Sequence, residues 1–200
     1  MESAAQQGRD GRTVRAERTR QALVDAMLDL LYEGDLQPTA ERIADRAGVS
    51  ERSVFQHFAD REVLYQAVAM QQFERIMPTL RPIDPSRPLP ERIDAFVDQR
   101  SRLLEHVTPV RRAALLLEPS SEVVASWLAK TRSAKASEVE RIFGAELDAL
   151  DGSRRATVLA ALVAASAWTS WESLRAHQGL SAERAQAAMR FALASLLGEG

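Results

Sequence analysis

The chain contains no cysteine, which excludes disulfides, thiolate metal sites and cysteine nucleophiles. Histidine is scarce, with only His57, His106 and His177 present. No Glu-x-x-His or His-Glu-x-x-His pair, Gly-x-Ser-x-Gly elbow or phosphate-binding glycine loop occurs. Neither catalysis, nor a metal, nor a cofactor is therefore expected. Long apolar runs are missing too: the longest, Val158 to Trp168, is interrupted by Ser166 and is too short to span a bilayer. The first twenty residues are polar and Arg-rich, without the apolar segment of a signal peptide. These absences predict a soluble, cytoplasmic protein with no membrane partner. Lysine is nearly absent, Lys130 and Lys135 being the only examples, and the formal net charge is -2. Residues 1–61 hold nine Arg against eleven Asp plus Glu. Any basic footprint must come from placement, as in the arm where Arg9, Arg12, Arg15, Arg18 and Arg20 meet only Asp10 and Glu17. Such a local excess attracts phosphate or a narrow minor groove.

What the chain does have is helical periodicity. With 46% hydrophobic residues it can build a packed core, and no segment alternates as a half-buried strand does. An all-α fold of about nine helices follows. The first helix is expected from Arg15 to Glu33, where Leu23, Ala26, Met27, Leu30 and Leu31 recur at offsets of three and four before Gly34. Asp60 is placed to cap a fourth helix reaching Met77. Prolines then break the chain between residues 78 and 90. Further helices are expected over Pro90–His106, Pro109–Leu117, Ser120–Leu147, Ser153–Gln178 and Ser181–Leu197. The organisation that results is a flexible arm (1–14), a three-helix module (15–60) and a larger helical domain (61–200).

The segment Thr39 to Phe58 has the spacing of a helix-turn-helix. Thr39 is an N-cap, and Ala40, Ile43, Ala44 and Ala47 form one apolar face. Ala44 lets two short helices cross closely, and Gly48 takes the positive φ that the tight turn requires. Val49 points inward, Ser50 is placed to cap the next helix, and Val54 and Phe58 anchor it. Its outer face is left to Glu51, Arg52, Ser53, Gln56 and His57, side chains that hydrogen-bond to base edges and phosphates. Arg42 and Arg46 on the preceding helix suit backbone contacts or surface ion pairs.

From Thr39 to Leu64 the chain resembles the DNA-binding signature of the tetracycline-repressor (TetR) family, through Ile43-Ala44, Ala47-Gly48-Val49-Ser50, His57-Phe58, Arg61-Glu62 and Leu64. The specific resemblance covers about residues 15 to 65. It implies that the third helix enters the major groove while the start of the fourth holds the phosphate backbone. Two departures stand out: Phe55 occupies the place of the family's usual tyrosine, and Arg61 that of a frequent lysine. Thr39, Ser50, Arg52, Ser53, Gln56, His57 and Arg61 are the expected DNA-binding residues. Arg61 is assigned to the backbone, and Arg52, Ser53 and Gln56 are candidates for base contact.

The resemblance also implies an apolar effector pocket among the middle helices. Candidate linings are Phe96, Arg100, Leu103 and Leu104, with Trp127, Phe143 and Trp168. Two small-residue stripes suggest a homodimer interface: Val158, Ala161, Leu162 and Ala165 on the penultimate helix, and Ala185, Ala188, Met189, Ala192 and Leu196 on the last. The expected function is sequence-specific transcriptional regulation as a dimer on palindromic double-stranded operator DNA, most simply as a repressor released by a small apolar molecule. The alternative is a DNA-binding regulator or nucleoid-type protein without an effector.

Overall fold

The computed structural model describes residues 2–198, with side chains from residue 13 onward; the side chains of Arg9, Asp10 and Arg12 in the arm lie outside the described set. Among the described residues there are ten α-helices and no strand. In order they are α1 (Glu2–Tyr32), α2 (Ala40–Ala47), α3 (Glu51–His57), α4 (Arg61–Ile76), α5 (Leu89–Leu117), α6 (Glu122–Ile142), α7 (Gly144–Asp148), α8 (Gly152–Ala165), α9 (Trp168–Glu172) and α10 (Ala182–Leu197). A π-helical turn, Ser173–His177, continues α9. No helix among the described residues is long and apolar enough to cross a membrane.

The chain divides into two compact units, Met1–Arg75 with Pro109–Ala125, and Ile76–Thr108 with Ser126–Gly200. In the first, the α1 stripe Leu23, Ala26, Met27, Leu30 and Leu31 is buried, as its periodicity predicts. It packs with Ile43 and Ala44 of α2, Val54 of α3, Phe58, and Leu64, Tyr65 and Val68 of α4. Val110 and Ala113 from the end of α5 complete the same core. The helix-turn-helix thus shares its apolar interior with α4 and with a segment distant in sequence.

The second unit is built on Ile93, Phe96, Val97 and Leu104 of α5, packed with Val139, Ile142, Phe143, Leu162, Trp171, Ala185, Met189 and Leu193. Phe96 and Phe143 meet edge to face, with ring centroids 5.5 Å apart.

Four expected helix boundaries differ. α1 begins at Glu2 and not at Arg15, so helix covers residues 2–14, where a flexible arm was expected. The break at Thr108-Pro109 is absent: α5 runs through Pro109, and the Thr108 hydroxyl donates to the Leu104 carbonyl at 2.6 Å. Burial of Val110 and Ala113 just beyond it outweighs the local preference of proline to end a helix. The expected helix Ser120–Leu147 divides at Phe143, which leaves helical geometry (φ -112°, ψ 21°) ahead of Gly144. The expected helix Ser153–Gln178 divides at Ser166-Ala167. Ser166 is fully buried and its hydroxyl donates to the Leu162 carbonyl at 2.8 Å, while Ala167 turns extended. A buried serine competes in this way with the helix's own bonds. Beyond the break the Trp168 indole donates to Thr108 Oγ1 at 3.0 Å and the Trp171 indole to Glu105 at 2.8 Å, so both ring N–H groups are satisfied.

Candidate nucleic-acid interface

The turn between α2 and α3 is held by local chemistry. The Thr39 hydroxyl accepts from the Arg42 amide at 3.2 Å, closing the open N-terminus of α2. At the other end Gly48 sits at φ 68°, ψ 33°, in the left-handed region that glycine enters without a Cβ penalty. The Val49 amide then donates to the Ala44 carbonyl at 3.0 Å, and Ala44 itself is buried where the helices cross. Ser50 stands at the N-cap of α3, but its hydroxyl makes no capping bond. It pairs instead with the Ser53 hydroxyl at 2.9 Å, so the expected side-chain cap is corrected to a hydroxyl pair on the first turn.

Val54 is buried in α3, and Phe58 lies just after it with the Arg20 guanidinium 4.7 Å above its ring. This fixes which side of α3 faces outward. Arg52, Phe55 and Gln56 are exposed, and Ser53 and His57 are half-buried. Arg52 makes no ion pair, and Gln56 and His57 make no side-chain hydrogen bond, among the described residues. The arginines of α2 are occupied differently. Arg42 pairs with Asp35 at 2.5 Å, and Arg46 holds both oxygens of Glu33 at 2.9 and 2.7 Å. The Arg46 hydrogen bonds also keep the Glu33 carboxyl below its usual range. Surface ion pairing, one of the two uses expected for these arginines, is present.

Asp60 accepts from the Val63 amide at 2.9 Å and so caps α4. That places Arg61 in the exposed first turn, its guanidinium 5.7 Å from the Tyr65 ring centroid. The expected residues of α3 and the α4 start therefore share one module, with Arg15 and Arg18 exposed on α1 of the same unit. Exposed Phe55 was not among them, because an apolar side chain carries no hydrogen-bonding signal; its departure from the family pattern was the one available pointer.

In the second unit the candidate pocket residues differ in burial. Phe96, Leu104 and Phe143 are core, while Leu103, Trp127 and Trp168 are half-buried. Arg100 is buried beneath Phe96 and ion-paired with Glu138. A cleft of about 470 Å³ does exist there, but Asp98, Ser101, Arg102, Glu105, His106, Trp171 and residues of α10 line it, and none of the seven candidates does. The two stripes also divide. Leu162, Ala185 and Met189 are enclosed by the unit's own core, whereas Val158, Ala161, Ala165, Ala188, Ala192 and Leu196 are half-buried. Phe191, outside the stripe, is 75% exposed on α10.

Residues 23–68 match the family model of bacterial regulatory proteins of the tetR family. The fold is similar to that of a transcriptional regulator from Rhodococcus sp. Rha1, with a TM-score of 0.66 and 18% identity over 92% of this chain and 96% of that one. It is also similar to a protein assigned to the TetR-family transcriptional regulators from Mesorhizobium loti, with a TM-score of 0.61 and 18% identity over 92% and 98% of the two chains. No curated protein matches the chain.

Proposed function

We infer, from the match of residues 23–68 to the family model of bacterial regulatory proteins of the tetR family, a DNA-binding regulator of transcription that reads a palindromic operator as a homodimer. The observation that carries this reading is the outer face of α3. Arg52 and Gln56 are exposed and, among the described residues, without side-chain partners, while the neighbouring arginines of α2 are tied to acids. A guanidinium or a carboxamide left free on a rigid helix matches the donor and acceptor pattern of guanine or adenine in the major groove. Arg61, with Thr39 and His57, is assigned to phosphate, and Ser50 and Ser53 present their paired hydroxyls at the start of the reader. Phosphate contacts position the helix and base contacts specify. This placement answers the lack of net positive charge, since a few well-aimed cations suffice where the bulk does not attract.

The finer parts of the reading are repression, and release by a small molecule bound within residues 76–108 and 126–198. They rest on the family resemblance and on a second compact unit separate from the reader's. Selection of bound fragments from random and genomic DNA tests the function directly. The expected result is one enriched palindrome, released on addition of a compound related to the neighbouring gene's product. Recovery of DNA with no enriched sequence would overturn the claim of specific regulation.

A further inference from the structure

Phe55 is 62% exposed, and among the described residues no ring or cation engages its side chain. A lone exposed phenyl group needs no explanation by itself; its place in the helix does. At about 100° per residue, Arg52, Phe55 and Gln56 fan across an arc of roughly 100° on the side of α3 opposite Val54. Phe55 therefore stands at one edge of the face assigned above to base edges, next to the two side chains that carry its polar chemistry. Phe58, one turn's length on, shows the contrast: it is buried and covered by Arg20.

A phenyl ring can neither donate to phosphate nor match a polar base edge. The major groove displays one apolar feature, the 5-methyl group of thymine. We propose that Phe55 reads a thymine methyl in each operator half-site, flanked by the bases that Arg52 and Gln56 contact. The inference rests on the DNA-binding reading and adds the base class recognised at one position. Where a tyrosine hydroxyl would bind the backbone without regard to sequence, the ring of Phe55 adds discrimination instead.

The test uses the full chain and the operator recovered by selection, with each thymine replaced in turn by deoxyuridine, which removes the methyl group and leaves the base pair and the protein intact. One position per half-site is expected to lose about fourfold in affinity, the effect of leaving one methyl group unburied. The same replacement should be silent for Phe55→Ala and retain part of its effect for Phe55→Leu. Uracil replacement that is silent at every thymine in the wild type, or equally costly in Phe55→Ala, would overturn the proposal while leaving operator binding standing. A change of oligomeric state in Phe55→Ala without DNA would also overturn it, by assigning the ring to a protein contact. Failure to recover any operator would remove the DNA-binding reading, and this one with it.

Discussion

The Tyr65 hydroxyl donates to the backbone carbonyl of Leu36 across 2.6 Å, joining α4 to the loop that leads into α2. The ring is only 3% exposed, so the bond is made out of water, and burial raises the phenol's pKa although Arg61 alongside draws it down in part. Tyr65→Phe should lower stability by about 1 kcal/mol, the net worth of such a bond with its acceptor left behind. The pH dependence has a definite sign. A phenol whose folded pKa lies above its unfolded value of about 10 contributes fully below that pH and loses its contribution as pH rises. Urea unfolding at pH 8 and pH 10.5 should therefore show the gap between wild type and Tyr65→Phe narrowing at the higher pH. A constant gap would mean that the proton on Tyr65 does not matter.

Arg92 is 4% exposed and donates to the carbonyls of Arg87 and Ile142 as well as to both oxygens of Glu146. Hydrogen bonding from Arg92 holds the Glu146 carboxyl below its ordinary range. Glu146→Gln leaves a buried guanidinium short of its counter-charge, and should cost about 2 to 3 kcal/mol, less than for a fully enclosed pair because Glu146 keeps some water. A depressed pKa gives stability that is complete above the unfolded value and fades as pH falls. The gap between wild type and variant should thus begin to narrow below about pH 4 and go on narrowing as pH falls towards the depressed folded value; a gap of unchanged size from about pH 7 to about pH 3 would point to lost packing.

How much of this was readable in advance depended on whether the deciding constraint was local. Thr39, Ala44, Gly48 and Val54 stand where their spacing places them, because a cap, a close crossing, a positive φ and a buried knob are each settled within a few residues. Ser50 was less legible, since Ser53 one turn away offers its hydroxyl a competing partner. Pro109 misled for the opposite reason: the signal to stop is local, and the burial of Val110 and Ala113 that overrides it is tertiary. Periodicity also found the faces of α8 and α10 that carry small apolar residues without saying what covers them. Leu162, Ala185 and Met189 turn out to face the unit's own core. Phe96 and Phe143, named as candidates for a lining, meet each other edge to face in the core of the second unit.

The reader itself can be divided by salt. Arg61→Ala should weaken binding to every sequence alike and flatten the slope of log K against log salt by about 1, the signature of one lost phosphate contact. Arg52→Ala or Gln56→Ala should instead cost about 1 to 3 kcal/mol of discrimination at particular base pairs. Affinity measured on the operator and on its single-base variants at several salt concentrations separates the two effects. An unchanged slope for Arg61→Ala would take that residue out of the backbone set.

Dimerisation should depend on Phe191 and the half-buried alanines beside it more than on the enclosed part of the predicted stripes. Ala185, Met189 and Leu193 turn one side of α10 into the core, which leaves Phe191, 75% exposed, on the side that a second copy can cover. Ala188 and Ala192 flank it and Ala161 and Ala165 line α8, small enough for helices of two copies to approach closely. In a twofold interface each contact occurs twice, so one substitution removes two. Phe191→Glu should weaken the dimer by more than about tenfold, as expected for losing a buried aromatic side chain and desolvating a charge in its place. Its fold should survive, because the ring is already in water in the single chain. Leu162→Glu is the informative contrast, since a charge in the core should unfold the second unit and not simply separate subunits. Two readers about 34 to 36 Å apart are needed to grip successive major grooves on one face of a palindrome. Sedimentation should accordingly find Phe191→Glu as a folded monomer that has lost its preference for a full palindrome over a half-site. A variant that remains dimeric with unchanged operator affinity would place the interface elsewhere on the chain.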